Sequence, residues 1–387
     1  MSVTAATGFV ASGLSTGIRR AAPDLAIVRS LAPAVGAAVW TTNRVQAAPV
    51  VVSRRHLERA EPQAVVVNSG VANAATGARG IEDAERTAAE AAALLGLQAD
   101  EVLVLSTGVI GIPLPIERLL AGLRPGVAAL SPDGGASAAE AILTTDQCPK
   151  QALEECDGFV VGGMAKGAGM IHPRLATMLA IVTTDYPLGP DEAGLLLRAA
   201  VDASFNRVSV DGECSTNDAV VLLANGATGI DRTPARDAEL ASALEAVCSA
   251  LARQIVEDGE GATVLLEIEV DGASTTAEAE AIARRIATSP LVKTAAFGRD
   301  PNWGRVLAAA GSAPWNGGFA RLDPDALTVG FDGTVVFAGG SPTGLTPVLD
   351  GTAVKIELDL GLGTGSASYL ASDLTYDYVR LNAEYTT

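Results

Sequence analysis

Histidine is scarce in this sequence. Among 387 residues only His56 and His172 occur, which leaves little material for a Ser-His-Asp triad or a histidine metal centre. His56 follows Arg54-Arg55 and reads as part of a surface segment, while His172 stands in a Gly-rich stretch where it could line a site. The four cysteines, Cys148, Cys156, Cys214 and Cys248, show neither paired metal-ligand spacing nor a disulfide framework, so they read as reduced or buried thiols. Aromatic residues supply 4% of the chain. No apolar run approaches the ~20 residues of a membrane helix. The N-terminus lacks the basic start and unbroken apolar stretch of a signal peptide. Positive charge is also short: 27 Lys and Arg face 45 Asp and Glu, a net charge of −18 that disfavours a phosphate-backbone partner. The expectation is a soluble, cytoplasmic protein that binds neither nucleic acid nor membrane.

What the chain does have is apolar material. At 48% hydrophobic it can bury a substantial core, and its length suggests two domains. Ala64–Val67 reads as a buried strand running into a turn at Asn68-Ser69-Gly70, and Glu101–Leu105 as a second buried strand running straight into Ser106-Thr107-Gly108. Asp83–Leu95 reads as a helix closed by Gly96. Leu240, Leu244, Val247, Cys248, Leu251 and Ile255 mark one face of a long helix, and Val264–Val270 alternates as a half-buried strand does. Beyond Asp271 the texture changes: a helix at Thr276–Ala287, a loop at Phe297–Arg305, a hairpin around Asp332-Gly333, and strands at Val354–Leu360 and Ser366–Ala371. This predicts a mixed α/β fold, with a larger α/β domain over 1–270 and a smaller α+β domain over 271–387. Gly361-Leu-Gly363-Thr-Gly365 follows a strand, but no helix pattern opens after it, so a turn explains it better than a nucleotide loop.

With histidine scarce, another base must serve any nucleophile. The α-amino group of a chain terminus has an unperturbed pKa of ~7.7–8.0, so much of it is neutral near physiological pH and can take a proton from its own hydroxyl. An internal Ser, Thr or Cys gains such an amine only when the peptide bond before it breaks. The stretch Gly162–Leu179 suits that need: glycines let the backbone bend, small Ala176 leaves the carbonyl before Thr177 uncrowded, and Lys166 adds a positive charge upstream. Physical chemistry alone makes this a candidate, since Gly-rich loops are usually only loops.

The segment KGAGMIHPRLATML resembles the self-cleavage signature of the ornithine acetyltransferase family, also called bifunctional glutamate N-acetyltransferase. Further matching segments are Asn68–Ala74, Ser106–Gly111, Thr144-Thr-Asp146, Asp211–Asp218, Asp258–Thr263, Asp300-Pro-Asn-Trp-Gly-Arg305 and Asn382–Thr387, in the family's order along nearly the whole chain. The resemblance implies cleavage between Ala176 and Thr177, with Thr177 as the nucleophile and Thr107 and Gly108 as the oxyanion hole. It implies that Thr144, Lys166, Glu260, Asn382 and Thr387 join Thr177 in binding the substrate. The implied reaction is ping-pong: Thr177 takes the acetyl group from N-acetylornithine and passes it to glutamate, without a metal or a bound cofactor. Some members of the family also use acetyl-CoA, and the sequence does not decide that point. The implied fold is a layered architecture similar to that of the β-aminopeptidases, and the implied assembly is a heterotetramer with two copies of each cleaved chain. Lys166 can meet a substrate carboxylate and Glu260 an ammonium; which group each contacts is left open. The chain departs from the family pattern at Ala168, where Ser is common, at Arg174-Leu175, where Asn-Met is usual, and in a trimmed stretch between Pro149 and Val160.

Two other readings compete. A self-cleaving aminopeptidase or amidase of the same broad fold would use Ser where Thr177 stands and would lack DPNWGR and the terminal Asn–Thr pattern. An inactive relative that senses an amino acid would have lost its nucleophile or an oxyanion donor, and Thr177, Thr107 and Gly108 are all present.

Overall fold

Short Val-, Leu- and Ala-rich runs form buried strands here, and Ala-rich amphipathic stretches cover them as helices. The computed structural model describes residues 3–172 and 178–384. It divides into two compact units, one running to Asn206 and continuing over Glu213–Ile255, the other holding Arg207–Gly212 and the described residues from Val256 to Glu384.

In the first unit two sheets lie face to face. One has the strand order Phe9–Leu14, Leu25–Ser30, Ala64–Val71, Val102–Val109. The other runs Val35–Trp40, Ala219–Ala224, Leu179–Thr184, Val160–Lys166, Lys150–Glu155. Val65, Val67, Leu103 and Leu105 of the first sheet share a core with Met164, Leu179, Ile181 and Val221 of the second. The alternate residues Val66 and Val104 point the opposite way, onto Ala84, Ala88, Leu119 and Leu123 of the helices Gly77–Leu95 and Ile116–Ala128. Strands covered on both faces have no polar side to show, which is why they read as continuous apolar runs. On the outer face of the second sheet, Gly163 opens space for Val247 and Leu251 of the helix Pro234–Glu257. The result is a helix–sheet–sheet–helix sandwich, a mixed α/β fold.

The second unit is built on a seven-stranded sheet in the order Ser341–Pro342, Thr334–Ala338, Thr328–Phe331, Ala353–Asp359, Leu265–Ala273, Gly365–Ser372, Val208–Ser209. Leu266, Ile268 and Val270 send one face of the central strand into a core shared with Ile282 and Ile286 of the helix Thr276–Ala287. Glu267 and Glu269 alternate with them, as a half-covered sheet requires. The expected hairpin turns on Asp332 and Gly333, both at positive φ (47° and 76°). The strand Leu265–Ala273 pairs with Ala353–Asp359 and Gly365–Ser372, so a boundary at 270 would cut through it; the two units divide at Ile255/Val256 instead.

Three further expectations are corrected. Asn68-Ser69-Gly70 is not a turn: the strand continues through it, because the parallel pairing Asn68↔Ser106, Ser69↔Thr107, Gly70↔Gly108 holds it in the ladder. His56 is buried rather than on the surface; it lies on the helix Ala48–Leu57 with Nδ1 2.9 Å from the Val102 carbonyl oxygen. Phe297–Arg305 is only partly a loop, since a helix ends at Phe297 and Asn302 caps the next, Trp303–Ala310, by accepting from the Arg305 N–H at 3.1 Å.

The helix Gly135–Ala141 packs on the Phe9–Leu14 strand so closely that a Cβ on Gly13 would sit 1.9 Å from the Ser137 carbonyl oxygen. Gly13→Ala is expected to destabilise the protein by about 1–3 kcal/mol through overpacking. The measurement is a urea melt: a lower midpoint at unchanged slope is the expected result.

Candidate active site

The two parallel strands Ala64–Val71 and Val102–Val109 approach closely where their glycines meet. Gly108 has φ +129°, and a Cβ there would lie 2.2 Å from the Gly70 carbonyl carbon, so only glycine fits. Polar side chains then pin the strand ends. Ser106 Oγ donates to Asn68 Oδ1 at 2.5 Å, and Asn68 Nδ2 donates to the Val71 carbonyl at 2.9 Å. Asn217, from the Asp211–Asp218 segment, donates to the carbonyls of Ala72 (2.6 Å) and Ser106 (2.8 Å). Three segments far apart in sequence are thus fastened around Thr107, which is buried.

Facing Thr107 is Lys166, the last residue of the Val160–Lys166 strand, with a side chain only 2% exposed. Its Nζ donates to Thr144 Oγ1 at 2.7 Å and to Thr107 Oγ1 at 3.3 Å. The structure therefore brings Thr107, Thr144 and Lys166 together around one buried ammonium. The counter-charge is Asp146. Its Oδ1 accepts from Lys150 Nζ at 2.7 Å and the Gly167 N–H at 2.6 Å, and its Oδ2 accepts the Thr144 N–H at 3.0 Å and lies 3.7 Å from Lys166 Nζ. Arg19 holds the segment from behind, donating to the carbonyls of Leu143 (2.8 Å) and Thr144 (3.3 Å).

In the second unit Asn382 Nδ2 donates to Glu260 Oε2 at 2.8 Å. Gly261, next to Glu260, has φ +66° and its carbonyl accepts from Thr375 Oγ1 at 2.7 Å, which fastens the loop to the start of the helix Tyr376–Glu384 that carries Asn382. Ala176, Thr177 and Thr387 lie outside the described residues. Among the described residues no group of three or more His, Cys, Asp or Glu side chains is placed to hold a metal ion, and no helix is long and apolar enough to cross a membrane.

The pattern of the ArgJ family matches residues 10–387. The chain belongs to the ArgJ family. The arginine biosynthesis bifunctional protein ArgJ of Symbiobacterium thermophilum is 46% identical over 400 residues, covering 100% of this chain and 98% of that protein. Its counterpart in Thermobifida fusca is 46% identical over 395 residues and is covered in full, as is this chain. Among solved structures, the ornithine acetyltransferase of Mycobacterium tuberculosis complexed with ornithine is 45% identical, over 44% of this chain and 94% of that one, with a TM-score of 0.43.

In this ArgJ-family chain Asp146, Lys150 and Asp218 join the cluster without being among the residues singled out from the sequence. Asp218 is fully buried and its Oδ1 accepts the Met178 N–H at 2.9 Å. Met178 is covalently joined to the proposed nucleophile, so Asp218 grips the chain one residue beyond it. Only Asp146 and Asp218, both inside matched motifs, carried a signal in the sequence; Lys150 carried none.

The two aspartates titrate in opposite senses. Burial alone would raise Asp146, but the charges of Lys166 and Lys150 and the hydrogen bonds from Lys150 and the Thr144 N–H outweigh it, holding the carboxyl well below the usual range. Its stabilising contribution is present above the unfolded pKa of about 3.9 and is lost as pH falls through the lower folded value. Burial also raises Asp218, and there the Met178 N–H and the Lys166 charge only partly oppose it, so the carboxyl stays well above its usual range. The native state then holds that proton more tightly than the unfolded chain, and stability falls as pH rises from about 3.9 toward the folded value. Asp218→Asn removes that slope. The stability of the variant relative to the parent is expected to improve as pH rises above about 4, measured by urea melts across the pH range; a difference independent of pH would refute it.

Proposed function

We propose that this chain is an acetyltransferase of arginine biosynthesis that moves an acetyl group from N-acetylornithine to glutamate. The observation that carries the reading is the family match over nearly the whole chain, joined to a buried cluster in which Lys166 meets the hydroxyls of Thr107 and Thr144. The relatives' name, bifunctional, supports a second acetyl donor, which we take to be acetyl-CoA.

In this reading the chain cleaves itself between Ala176 and Thr177. The freed α-amine accepts the proton of the Thr177 hydroxyl, whose oxygen attacks the acetyl carbonyl. The Thr107 hydroxyl and the Gly108 N–H receive the developing oxyanion; losing one such donor costs on the order of 3 kcal/mol in the barrier. Ornithine leaves with the proton, glutamate enters, and its amine takes the acetyl group from Thr177 in the reverse sequence. Thr144 and Lys166 border the reacting centre, and Glu260, Asn382 and Thr387 bind the amino-acid part of the substrate, Glu260 offering a negative charge to the ornithine ammonium. No metal or cofactor enters these steps. The assembly that goes with this reading is a heterotetramer with two copies of each cleaved chain, in a cytoplasmic setting.

A denaturing gel of the purified protein is expected to show two pieces, Met1–Ala176 and Thr177–Thr387, the second beginning Thr-Met-Leu-Ala on N-terminal sequencing. Thr177→Ala is expected to stay whole and inactive, whereas Thr177→Ser retains part of both activities because it keeps a hydroxyl. A fully active, uncleaved parent chain would sink the mechanism. Hydrolysis of small peptide amides in place of acetyl transfer would favour the amidase reading.

Chain ends ordinarily tolerate deletion, yet Asn382 is engaged with Glu260. Deleting Asn382–Thr387 is expected to raise the KM for N-acetylornithine by at least ~tenfold, the equivalent of about 1.4 kcal/mol, while self-cleavage continues. Unchanged steady-state kinetics would remove the tail from the site.

A further inference from the structure

Two threonine hydroxyls meet one ammonium here, and they differ in what becomes of their hydrogens. An ammonium only donates, so Thr107 Oγ1 and Thr144 Oγ1 are both acceptors toward Lys166 Nζ. Thr144 passes its own hydrogen on to Asp146 Oδ2, at 3.4 Å. The Thr107 hydroxyl donates to no acceptor among the described residues. Its hydrogen is the one left for an incoming oxygen.

Asp146 sets this polarity. Its side chain is fully buried between two lysines that are themselves buried, Lys150 at 0% and Lys166 at 2% side-chain exposure. It attracts the Lys166 ammonium directly, at 3.7 Å. It also orients Thr144, whose oxygen receives that ammonium, through both the backbone N–H and the hydroxyl. The Gly167 N–H binds the same carboxylate, so the backbone that carries Lys166 is tied down as well. Lys150 completes the balance by pairing with the other carboxylate oxygen.

We propose that Asp146, braced by Lys150, is a positioning residue for the transfer: it holds the Lys166 ammonium against Thr107 Oγ1, so that the Thr107 hydroxyl hydrogen turns to the reacting carbonyl oxygen and Lys166 acts on the developing negative charge rather than on the carboxylate of the substrate. This rests on the acetyl-transfer reading above and revises the part Lys166 plays in it. No bond forms or breaks at Asp146. Its effect travels through hydrogen bonds, since a hydroxyl that accepts from a cation is a stronger donor.

The test compares Asp146→Asn with the parent in steady-state acetyl transfer and in the rate of self-cleavage, with folding followed by circular dichroism. A positioning role predicts that kcat and the self-cleavage rate fall together, each by about tenfold or more, because both steps develop an oxyanion. The KM for N-acetylornithine is expected to stay within about threefold, since only transition-state stabilisation is lost. A cycle with Thr107→Ala sharpens the result: if Asp146 acts through the Thr107 hydroxyl, adding Asp146→Asn to that background slows transfer by less than about threefold. Should Asp146→Asn alone fail to fold, the double variant Asp146→Asn/Lys150→Met keeps the buried net charge of the parent and is expected to show the same loss of kcat. The proposal is overturned by a raised KM at unchanged kcat, by full multiplication of the two effects in the cycle, by parent-like kcat in the double variant, or by failure of both variants to fold, which would make the cluster structural only. A parent protein that transfers no acetyl group at all would defeat the functional reading instead, so the two failures are distinguishable.

Discussion

A lysine ammonium taken out of water must find a counter-charge and hydrogen-bond acceptors, or the fold loses several kcal/mol to its desolvation. The first unit buries two such ammoniums, Lys150 and Lys166, and much of its local architecture answers that demand. Asp146 supplies the counter-charge, and Thr107 and Thr144 supply acceptors from a strand of the opposite sheet and from the segment before Asp146. The constraint then spreads outward. Thr144 stays in reach because Arg19 clamps its carbonyl, and Arg19 is itself positioned by Asp24, whose Oδ2 accepts the Arg19 N–H at 2.8 Å. The Asp24 carbonyl in turn accepts the Ser69 N–H, one strand away from Thr107. A single buried charge thus orders a chain of contacts from the N-terminal segment to the strand that bears the proposed oxyanion donor.

Replacing such a cluster by apolar residues of similar volume is often neutral or stabilising in proteins, while removing one partner costs about 3–5 kcal/mol. Stability alone therefore gives little reason to keep two buried lysines and an aspartate where the sandwich core could be extended. Their use lies in what they do to neighbours. The ammonium fixes hydroxyl polarity, and the carboxylate keeps the ammonium from drifting. Gly108 serves the same end by other means: a side chain there would collide with the Gly70 carbonyl and push the Thr107 backbone away from Lys166. Packing and electrostatics converge on the position of one hydroxyl.

Local signals in the sequence were sufficient for some elements and blind to others. The helix Thr276–Ala287 and the Asp332-Gly333 hairpin were legible because periodicity and turn chemistry act over a few residues. The long helix through Leu240 and Ile255 was legible from one apolar face, every member of which is buried. The polar triplet at Asn68 reads as a turn because what keeps it in a strand is its pairing with Ser106-Thr107-Gly108 across the sheet. His56 misled for a similar reason: a run of Arg and His looks exposed, but the helix turns His56 inward to a carbonyl 46 residues away. Thr107 and Thr144 were singled out only through family resemblance, whereas Lys166 also stood out as a charge in the Gly-rich segment. Lys150 was not legible at all, since it reaches Asp146 through the antiparallel register Lys150↔Ala165, which sets it beside Lys166.

The second unit handles charge in the opposite manner, and the contrast bears on how the proposed substrate is bound. Glu260 is half-buried and Asn382 exposed, and they meet through one 2.8 Å hydrogen bond. A contact of that exposure contributes little net stability, roughly 1 kcal/mol or less, because water competes for both partners. What contributes little is also cheap to exchange: either group can release the other and take up a polar group of a ligand with small penalty. The buried Asp146–Lys166 cluster cannot do so, because any released partner would be left desolvated. Groups that must hold one geometry through bond making belong in the interior, and groups that must let go of a product belong where water can replace it. On that physical ground the proposed roles divide as exposure requires: capture and release of an amino acid for Glu260 and Asn382, fixed support of the reacting carbonyl for the Lys166 cluster.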